Sequence, residues 1–404
     1  MRVVINSLMA SGRKTGVGHY TAELIRGLNA RQHEVDVDVF PGPWVQKGRR
    51  TWTRLRSALA RRTNSRQAAP SDRNSSRLRH KLLGTLRSLG QSCMAHHFRS
   101  QCKARHYDLY HETNYIPLPC DLPTVTTIYD LSVLLHPEWH PADRVRFYEQ
   151  NFRRSLAQCQ HVLAISEMCR REVMQELNIP AHRVTRTYLG IRSVFRPLAE
   201  SVYRPILQQL GLPDQYLFYI GTIEPRKNIL HLLQAYCALP AGVRDSCPLI
   251  LAGGWGWNSE AVADFYYREA RHRGVRLMGY IRERHLAALY NGARALVYPS
   301  YYEGFGLPPL EMMACGGAVL GSTAEALKET LGGQHCLIDP DDVDGWRDAM
   351  AKVVQDADWR QLLRKDAQGV AKPFTWQRCA AETLQVYRNV LDFESPSHSW
   401  RSAG

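Results

Sequence analysis

The sequence predicts an α/β protein built from two doubly wound domains, each a parallel sheet with helices on both faces. Three observations predict it. At 404 residues the chain exceeds one ordinary domain. Short apolar runs bounded by turn residues alternate with stretches of helical periodicity along most of its length. The alternation starts afresh near Tyr216, after a stretch from Arg196 to Pro213 that three prolines and a glycine interrupt.

Taken in order, Val3-Val4-Ile5 reads as a short buried strand. A polar loop with Ser11-Gly12 and Thr15-Gly16-Val17-Gly18 follows, and Tyr20, Leu24, Ile25 and Leu28 then recur at helical spacing. Val35 to Phe40 alternates as a half-buried strand does. Asp108 to His111, Thr124 to Tyr129 and Val162 to Ile165 are further short strands, and Ser166 is placed to cap the next helix. In the second series Leu217 to Ile220 is a strand, followed by a helix carrying Leu230, Leu233 and Tyr236. Pro248 to Ala252, Val275 to Met278, Leu296 to Tyr298, Ala318 to Gly321 and Cys336 to Asp339 continue the strands. The expected bounds are residues 1–195 for the first domain, with a basic insert over 47–105, and 196–375 for the second. A helix over 376–394 is expected to pack back on the first domain, and 395–404 to form a disordered tail. Ligands of doubly wound folds sit outside the carboxyl ends of the strands, which here predicts a cleft between the halves.

Charge is distributed unevenly. The net +14 arises almost wholly between Lys47 and Arg105, where sixteen Lys or Arg meet one acid, Asp72. A local basic surface implies an anionic partner rather than a basic protein as a whole. From Arg77 to Gln91, Leu78, Leu82, Leu83, Leu86 and Leu89 share one helical face among Arg79, Lys81 and Arg87. Trp52, Leu55 and Leu59 repeat the pattern among arginines. Basic amphipathic helices of this kind suit an anionic membrane surface, each cation contributing about 1 kcal/mol there. The competing reading puts those leucines in the core of the first domain. No nucleic-acid reader module or aromatic ladder accompanies the basic residues, so nucleic acid is not the expected partner. No apolar run reaches the roughly 18–20 residues that cross a bilayer. The amino-terminal residues lack a secretory apolar stretch. Ten scattered cysteines without a Cys-x-x-Cys pair predict a reduced, cytosolic protein without structural zinc.

The chemistry concentrates in two places. Thr222-Ile-Glu-Pro-Arg226-Lys227-Asn228 follows a strand and opens a helix, where the dipole and free N–H groups favour a diphosphate. Arg226 adds a planar fork and Lys227 a point charge. Glu303-Gly-Phe-Gly-Leu-Pro-Pro-Leu-Glu311 places two acids eight positions apart around a glycine turn. Gly304 and Gly306 let the backbone approach a ligand, Pro308 and Pro309 suit a helix start, and Glu311 is expected in the first helical turn. An elongated ligand with hydroxyls at both ends and an anion between fits this layout, which describes a nucleotide sugar. The plainer readings are a solvated basic turn and an acid that only complements a helix dipole.

Other motifs argue for less. Gly16 and Gly18 begin a dinucleotide fingerprint whose third glycine is replaced by Thr21, with Asp36 and Asp38 near the place of a ribose-binding acid. This would suit a nicotinamide-dependent oxidoreductase, while a donor phosphate or an acceptor is the alternative partner for the loop. His19 reads as a pocket residue. Asp36-Val-Asp38 resembles a metal-binding pair but lies in an alternating strand, and His96-His97 lack a matching ligand set, so no metal site is expected. Asp339-Pro-Asp341-Asp342 reads as a turn and helix start.

Thr15-Gly-Val-Gly18, Tyr129-Asp130-Leu131, Glu224-Pro-Arg-Lys-Asn228, Gly279-Tyr280 and the segment from Tyr298 to Glu311 together resemble the retaining family-4 glycosyltransferases of the GT-B fold, two Rossmann-like domains facing a cleft. The look is closest to bacterial mannosyl- and rhamnosyltransferases of surface polysaccharides. The resemblance implies that Arg226 and Lys227 hold the donor diphosphate and that Glu303 contacts the transferred sugar. It implies that backbone at Phe305, Gly306 and Leu307 meets sugar and phosphate, that Glu311 binds ribose and that backbone near Tyr280 faces the base. Asp130 joins the catalytic group, Gly16 and Gly18 the donor site, and His19 and Tyr129 the acceptor side. No metal or other cofactor is implied. The family often has His where Tyr129 stands, and a phenol cannot serve as an imidazole base at neutral pH. It frequently has Arg in place of His19, and Pro-Glu in place of Lys328-Glu329.

The resulting expectation is a cytoplasmic glycosyltransferase, peripheral on the inner face of the membrane through residues 52–91. It moves a hexose, first of all mannose from GDP-mannose, onto a lipid-linked saccharide. The same fold using dTDP-rhamnose or a UDP-sugar, an oxidoreductase, and a non-catalytic membrane or polyanion adaptor are the alternatives.

Overall fold

The computed structural model describes residues 1–10, 16–42, 93–332 and 336–394. The basic amphipathic segment 52–91, the Thr15 end of the glycine loop and the tail 395–404 lie outside the described residues. Two six-stranded sheets carry the fold. The first runs β2-β1-β3-β4-β5-β6, from β1 (Arg2–Asn6), β2 (Asp36–Phe40), β3 (Leu109–Glu112), β4 (Thr124–Ile128), β5 (His161–Ala164) and β6 (Val184–Arg186). The second runs β12-β11-β10-β7-β8-β9, from β7 (Leu217–Ile220), β8 (Leu249–Ala252), β9 (Val275–Gly279), β10 (Ala295–Tyr298), β11 (Ala318–Ser322) and β12 (Cys336–Ile338). Every pairing in the second sheet is parallel. Central strands such as Leu249–Ala252 and Ala295–Tyr298 are buried throughout, as helices on both faces require.

The chain divides into two compact units. One comprises Met1–Ile128, Arg154–Leu163 and Ala380–Gly404, the other Tyr129–Arg153 and Ala164–Cys379. In the first, Phe98 packs 4.8 Å from Phe40 and 4.5 Å from Tyr110, ring centre to ring centre. The helix Gly16–Asn29 buries Tyr20, Leu24 and Leu28 at the spacing the sequence predicts. His111 on β3 is fully enclosed. It bonds Tyr387 Oη (2.6 Å) on the helix Trp376–Glu394 and Thr127 Oγ1 (2.8 Å), and burial pushes its pKa down to about 3.

In the second unit, residues 196–213 are not simply a punctuated connection. They contain a helix, Glu200–Gln209, with Pro205 inside it. The helix persists because Leu207 is buried against the helix Glu283–Gly292, where a side chain at position 292 would lie 2.4 Å from Leu207 Cδ1. Ser166 caps the helix Glu167–Leu177 by accepting from Cys169 N (3.0 Å), and Asp342 caps Val343–Gln355 by accepting from Gly345 N (2.8 Å). The first is the cap the sequence predicts, and the second falls within the predicted turn and helix start at Asp339 to Asp342. Among the described residues no helix is long and apolar enough to cross a membrane.

Candidate functional site

Chain order reverses in the second sheet between β7 and β10. From β7 the strands run outward to β8 and β9, then return to β10 on its other side and continue to β11 and β12. Such a switch point opens a crevice at the carboxyl ends of the two neighbouring strands. Both predicted motifs emerge there. The turn Pro225–Lys227 follows β7, and the loop carrying Glu303 follows β10. Asn228, in left-handed backbone, anchors the turn by donating to Pro299 O (3.2 Å) and Pro340 O (2.7 Å), and Tyr301 N donates to Arg226 O (2.8 Å).

Glu303 is 6% exposed, and its carboxylate lies between the two cations. Lys227 Nζ donates to Oε1, and Arg226 Nη1 to Oε2 at 3.3 Å. Lys227 also reaches Tyr298 Oη (3.2 Å), and Arg226 Nε binds Glu224 Oε1 (2.6 Å). Burial alone would raise the Glu303 pKa, but Lys227 and Arg226 together hold it below the usual carboxylate range. Burial, reinforced by Arg226, lowers that of Lys227. Arg226 is held charged, because Glu303, Asp130 and Glu224 outweigh its burial. Arg226 and Lys227 thus meet at the crevice with an internal acid as their shared partner, an arrangement suited to an anion.

The segment Tyr129-Asp130-Leu131 joins this site. A Cβ on Gly304 would fall 1.8 Å from Tyr129 O, so the two backbones touch. Tyr302 Oη accepts from Leu131 N (3.1 Å) and donates to Glu172 Oε2 (2.5 Å). Asp130 Oδ1 accepts from Ser132 N (3.0 Å) and Ser132 Oγ (2.7 Å).

Glu311 belongs to a second cluster. The helix Leu307–Ala314 starts at Gly306, in left-handed backbone, so Glu311 is its fifth residue and lies in the second turn, not the first. Its carboxylate accepts from Tyr290 Oη (2.8 Å) and Arg192 Nη2 (3.4 Å), and Arg192 is shared with Glu283. Burial raises its pKa against the opposing effects of Arg192 and Tyr290. Phe305 turns its ring into the core, 5.6 Å from Phe374, so only its backbone is placed to serve a ligand. Leu307 is half-buried. Tyr280, after β9, is 53% exposed. Gly16, Gly18 and His19 form the first turn of the helix Gly16–Asn29 in the other unit, where Gly18 is buried and His19 half-buried. His96 and His97 are exposed, and Asp38 is engaged by Arg105 and by Tyr107 Oη (2.5 Å). Among the described residues no group of three His, Cys, Asp or Glu is placed to hold a metal ion.

Sequence reasoning missed Arg192, Tyr290, Tyr298, Tyr302, Glu172, Ser132 and His140. The two oxygens of Glu329 accept from Glu167 N (2.7 Å) and Met168 N (2.9 Å), complementing the start of that helix.

Residues 14–193 match the family described as Glycosyltransferase Family 4, and 206–370 that described as Glycosyl transferases group 1. The chain is 35% identical over 382 residues to an O-antigen chain mannosyltransferase B of Escherichia coli, covering 93% of this chain and 96% of the relative. It is 31% identical over 293 residues to the serotype-specific mannosyltransferase WbdA of Escherichia coli, covering 70% of this chain and 36% of that protein. Its fold is that of a sucrose-phosphate synthase from Thermosynechococcus elongatus, with a TM-score of 0.70 over 97% of this chain and 100% of the other, at 19% identity.

Proposed function

As the chain belongs to the family-4 glycosyltransferases and has their GT-B fold, we propose that it transfers mannose from GDP-mannose to a growing surface polysaccharide, with retention at the anomeric carbon. One observation carries this reading: Arg226 and Lys227 converge on Glu303 at the switch point of the second sheet, in a chain alike over nearly its full length to an O-antigen chain mannosyltransferase.

The donor diphosphate takes Arg226 and Lys227 as partners, and Glu303 then turns to the hydroxyls of the hexose. The bond from the anomeric carbon to the diphosphate oxygen breaks, and a bond to the acceptor oxygen forms on the same face. The acceptor proton passes to the departing phosphate oxygen. Fixed charge from Arg226 and Lys227 stabilises that leaving group where another enzyme would employ a divalent ion, so metal independence is part of the reading. Glu311 receives the ribose hydroxyls, backbone near Tyr280 the base, and Gly16 and Gly18 the donor, while His19 and Tyr129 serve the acceptor. The acceptor is a lipid-linked saccharide, reached by a protein resting on the inner face of the cytoplasmic membrane through residues 52–91. dTDP-rhamnose or a UDP-sugar in place of GDP-mannose is the alternative donor.

The test is a panel of nucleotide sugars assayed for hydrolysis and transfer after treatment with a chelator. Turnover of GDP-mannose that survives chelation supports the reading. Strict dependence on magnesium or manganese overturns metal independence, and thermal stabilisation by NAD but by no nucleoside diphosphate overturns glycosyl transfer. Deleting 52–91 should abolish binding to anionic vesicles, and unchanged binding removes the membrane role.

A further inference from the structure

His140 is 7% exposed, and its two ring nitrogens are treated differently. Nε2 lies 3.1 Å from Ser132 Oγ, which lies 2.7 Å from Asp130 Oδ1. A carboxylate only accepts, so the single hydroxyl proton of Ser132 is committed to Asp130. Nε2 must then donate to Ser132 Oγ, which leaves the lone pair of a neutral ring on Nδ1. Among the described residues Nδ1 is buried and has no hydrogen-bond partner. The neighbouring Trp257 ring, 5.9 Å away between centres, cannot supply one, because its Nε1 already donates to Trp139 O (2.8 Å).

The charged groups acting on His140 come from three segments. Arg144 lies on the helix Ala142–Ala157, Asp130 follows β4, and Glu224 and Arg226 follow β7. Burial first, then Arg144, lowers its pKa from the ordinary value, with Asp130 and Glu224 opposing and Arg226 assisting. The ring is therefore a neutral acceptor at pH 7, set beside the anion receptor. A buried acceptor without a protein donor calls for a partner from outside the chain, a ligand or an ordered water, and its place beside Arg226 and Asp130 favours a ligand.

We propose that His140 Nδ1 accepts a hydrogen bond from a carbohydrate hydroxyl bound beside Arg226 and Asp130, and that Ser132 fixes the tautomer that makes this possible. The inference rests on the glycosyl-transfer reading, since a sugar hydroxyl is the neutral donor which that substrate class brings. It gives the site an imidazole at position 140, where position 129 carries Tyr. The hydroxyl comes from either the transferred hexose or the acceptor.

The experiment compares native protein, His140→Ala, His140→Asn and Ser132→Ala with GDP-mannose, its single-deoxy analogues and single-deoxy acceptors. His140→Ala should lower kcat/KM about ten-fold with full substrates, as the loss of one hydrogen bond to a neutral acceptor does. With one deoxy compound the native protein and His140→Ala should become equal, and whether that compound is donor or acceptor identifies the source. The Asn Oδ1 stands near the position of Nδ1, so His140→Asn should recover most of the loss, while Ser132→Ala should lose activity by releasing the tautomer. Native kcat/KM should also fall as acid protonates Nδ1 and turns it into a donor, and His140→Asn should lack that fall. An equal loss for every deoxy compound, or native activity in His140→Ala, overturns the inference. If His140→Ala melts early, failure of the well-folded His140→Asn to recover activity overturns it equally. No turnover of any nucleotide sugar by the native protein would instead remove the glycosyl-transfer reading itself.

Discussion

Gly304 and Tyr129 meet backbone to backbone: a single added methyl at 304 would penetrate to 1.8 Å from the Tyr129 carbonyl oxygen. That contact joins the loop bearing Glu303 to the segment bearing Asp130, and a carbonyl cannot swing aside as a flexible side chain can. Gly304→Ala should therefore displace one loop from the other. Displacements near 1 Å cost about 100-fold in rate, and the overpacking about 1–3 kcal/mol in stability. Steady-state kinetics and denaturant melts read the two effects, and native kcat/KM in the variant would show that the contact positions nothing.

Lys227→Met should abolish turnover, with a loss on the order of 100- to 1,000-fold in kcat. It also leaves the buried Glu303 with Arg226 as its remaining cation, and breaking such a buried pair destabilises by about 3–5 kcal/mol. Combining it with Glu303→Gln should restore much of the stability and none of the activity. A double variant as unstable as the sum of the single ones, by urea denaturation, would contradict the pairing.

Glu311→Gln keeps an acceptor for Tyr290 and should act on donor KM more than on kcat, as a ribose contact would. Glu311→Ala removes one of the two acids that share Arg192, so it should also lower the melting temperature. A loss confined to kcat in Glu311→Gln would place this acid at the reacting centre instead.

Glu172 makes stability depend on pH. Burial pushes its pKa from 4.5 up to about 7, with Asp130 adding to the shift and the Tyr302 hydroxyl opposing it. Across that window the folded chain keeps a proton that the unfolded chain has released, so stability should fall as pH rises and level off above it. Glu112, also pushed up to about 7, has the same sign, so the difference between proteins is the useful measure. Glu172→Gln should narrow the gap between melting temperatures at pH 5 and pH 8. An unchanged gap would show that this carboxyl ionises freely.

Much of this site is legible in the sequence because its parts are local. The apolar run Ala295–Tyr298, the glycines at 304 and 306 and the prolines at 308 and 309 dictate strand, turn and helix within twenty residues. Partnerships across the sheet are not legible. Arg192 meets Glu311 over 119 positions and Tyr302 meets Glu172 over 130, and no short-range pattern encodes either. β6 escapes notice because Val184-Thr-Arg186 is too short and polar to give an apolar run. Ser132 is the missed residue with a local signal: its N–H closes a turn on Asp130 two positions before it, as Asp commonly does.

The resting pairing of Glu303 with both cations makes the crevice a poor trap for bare phosphate. An anion arriving alone must pull Lys227 and Arg226 from their carboxylate and abandon it, ionised, in a dry place. A donor whose sugar offers hydroxyls to that carboxylate relieves the loss, and once the sugar has moved on the leftover nucleotide faces it again. Loading and emptying would thus be sorted by one acid, and GDP should bind more tightly to Glu303→Gln than to the native chain, which calorimetry can decide.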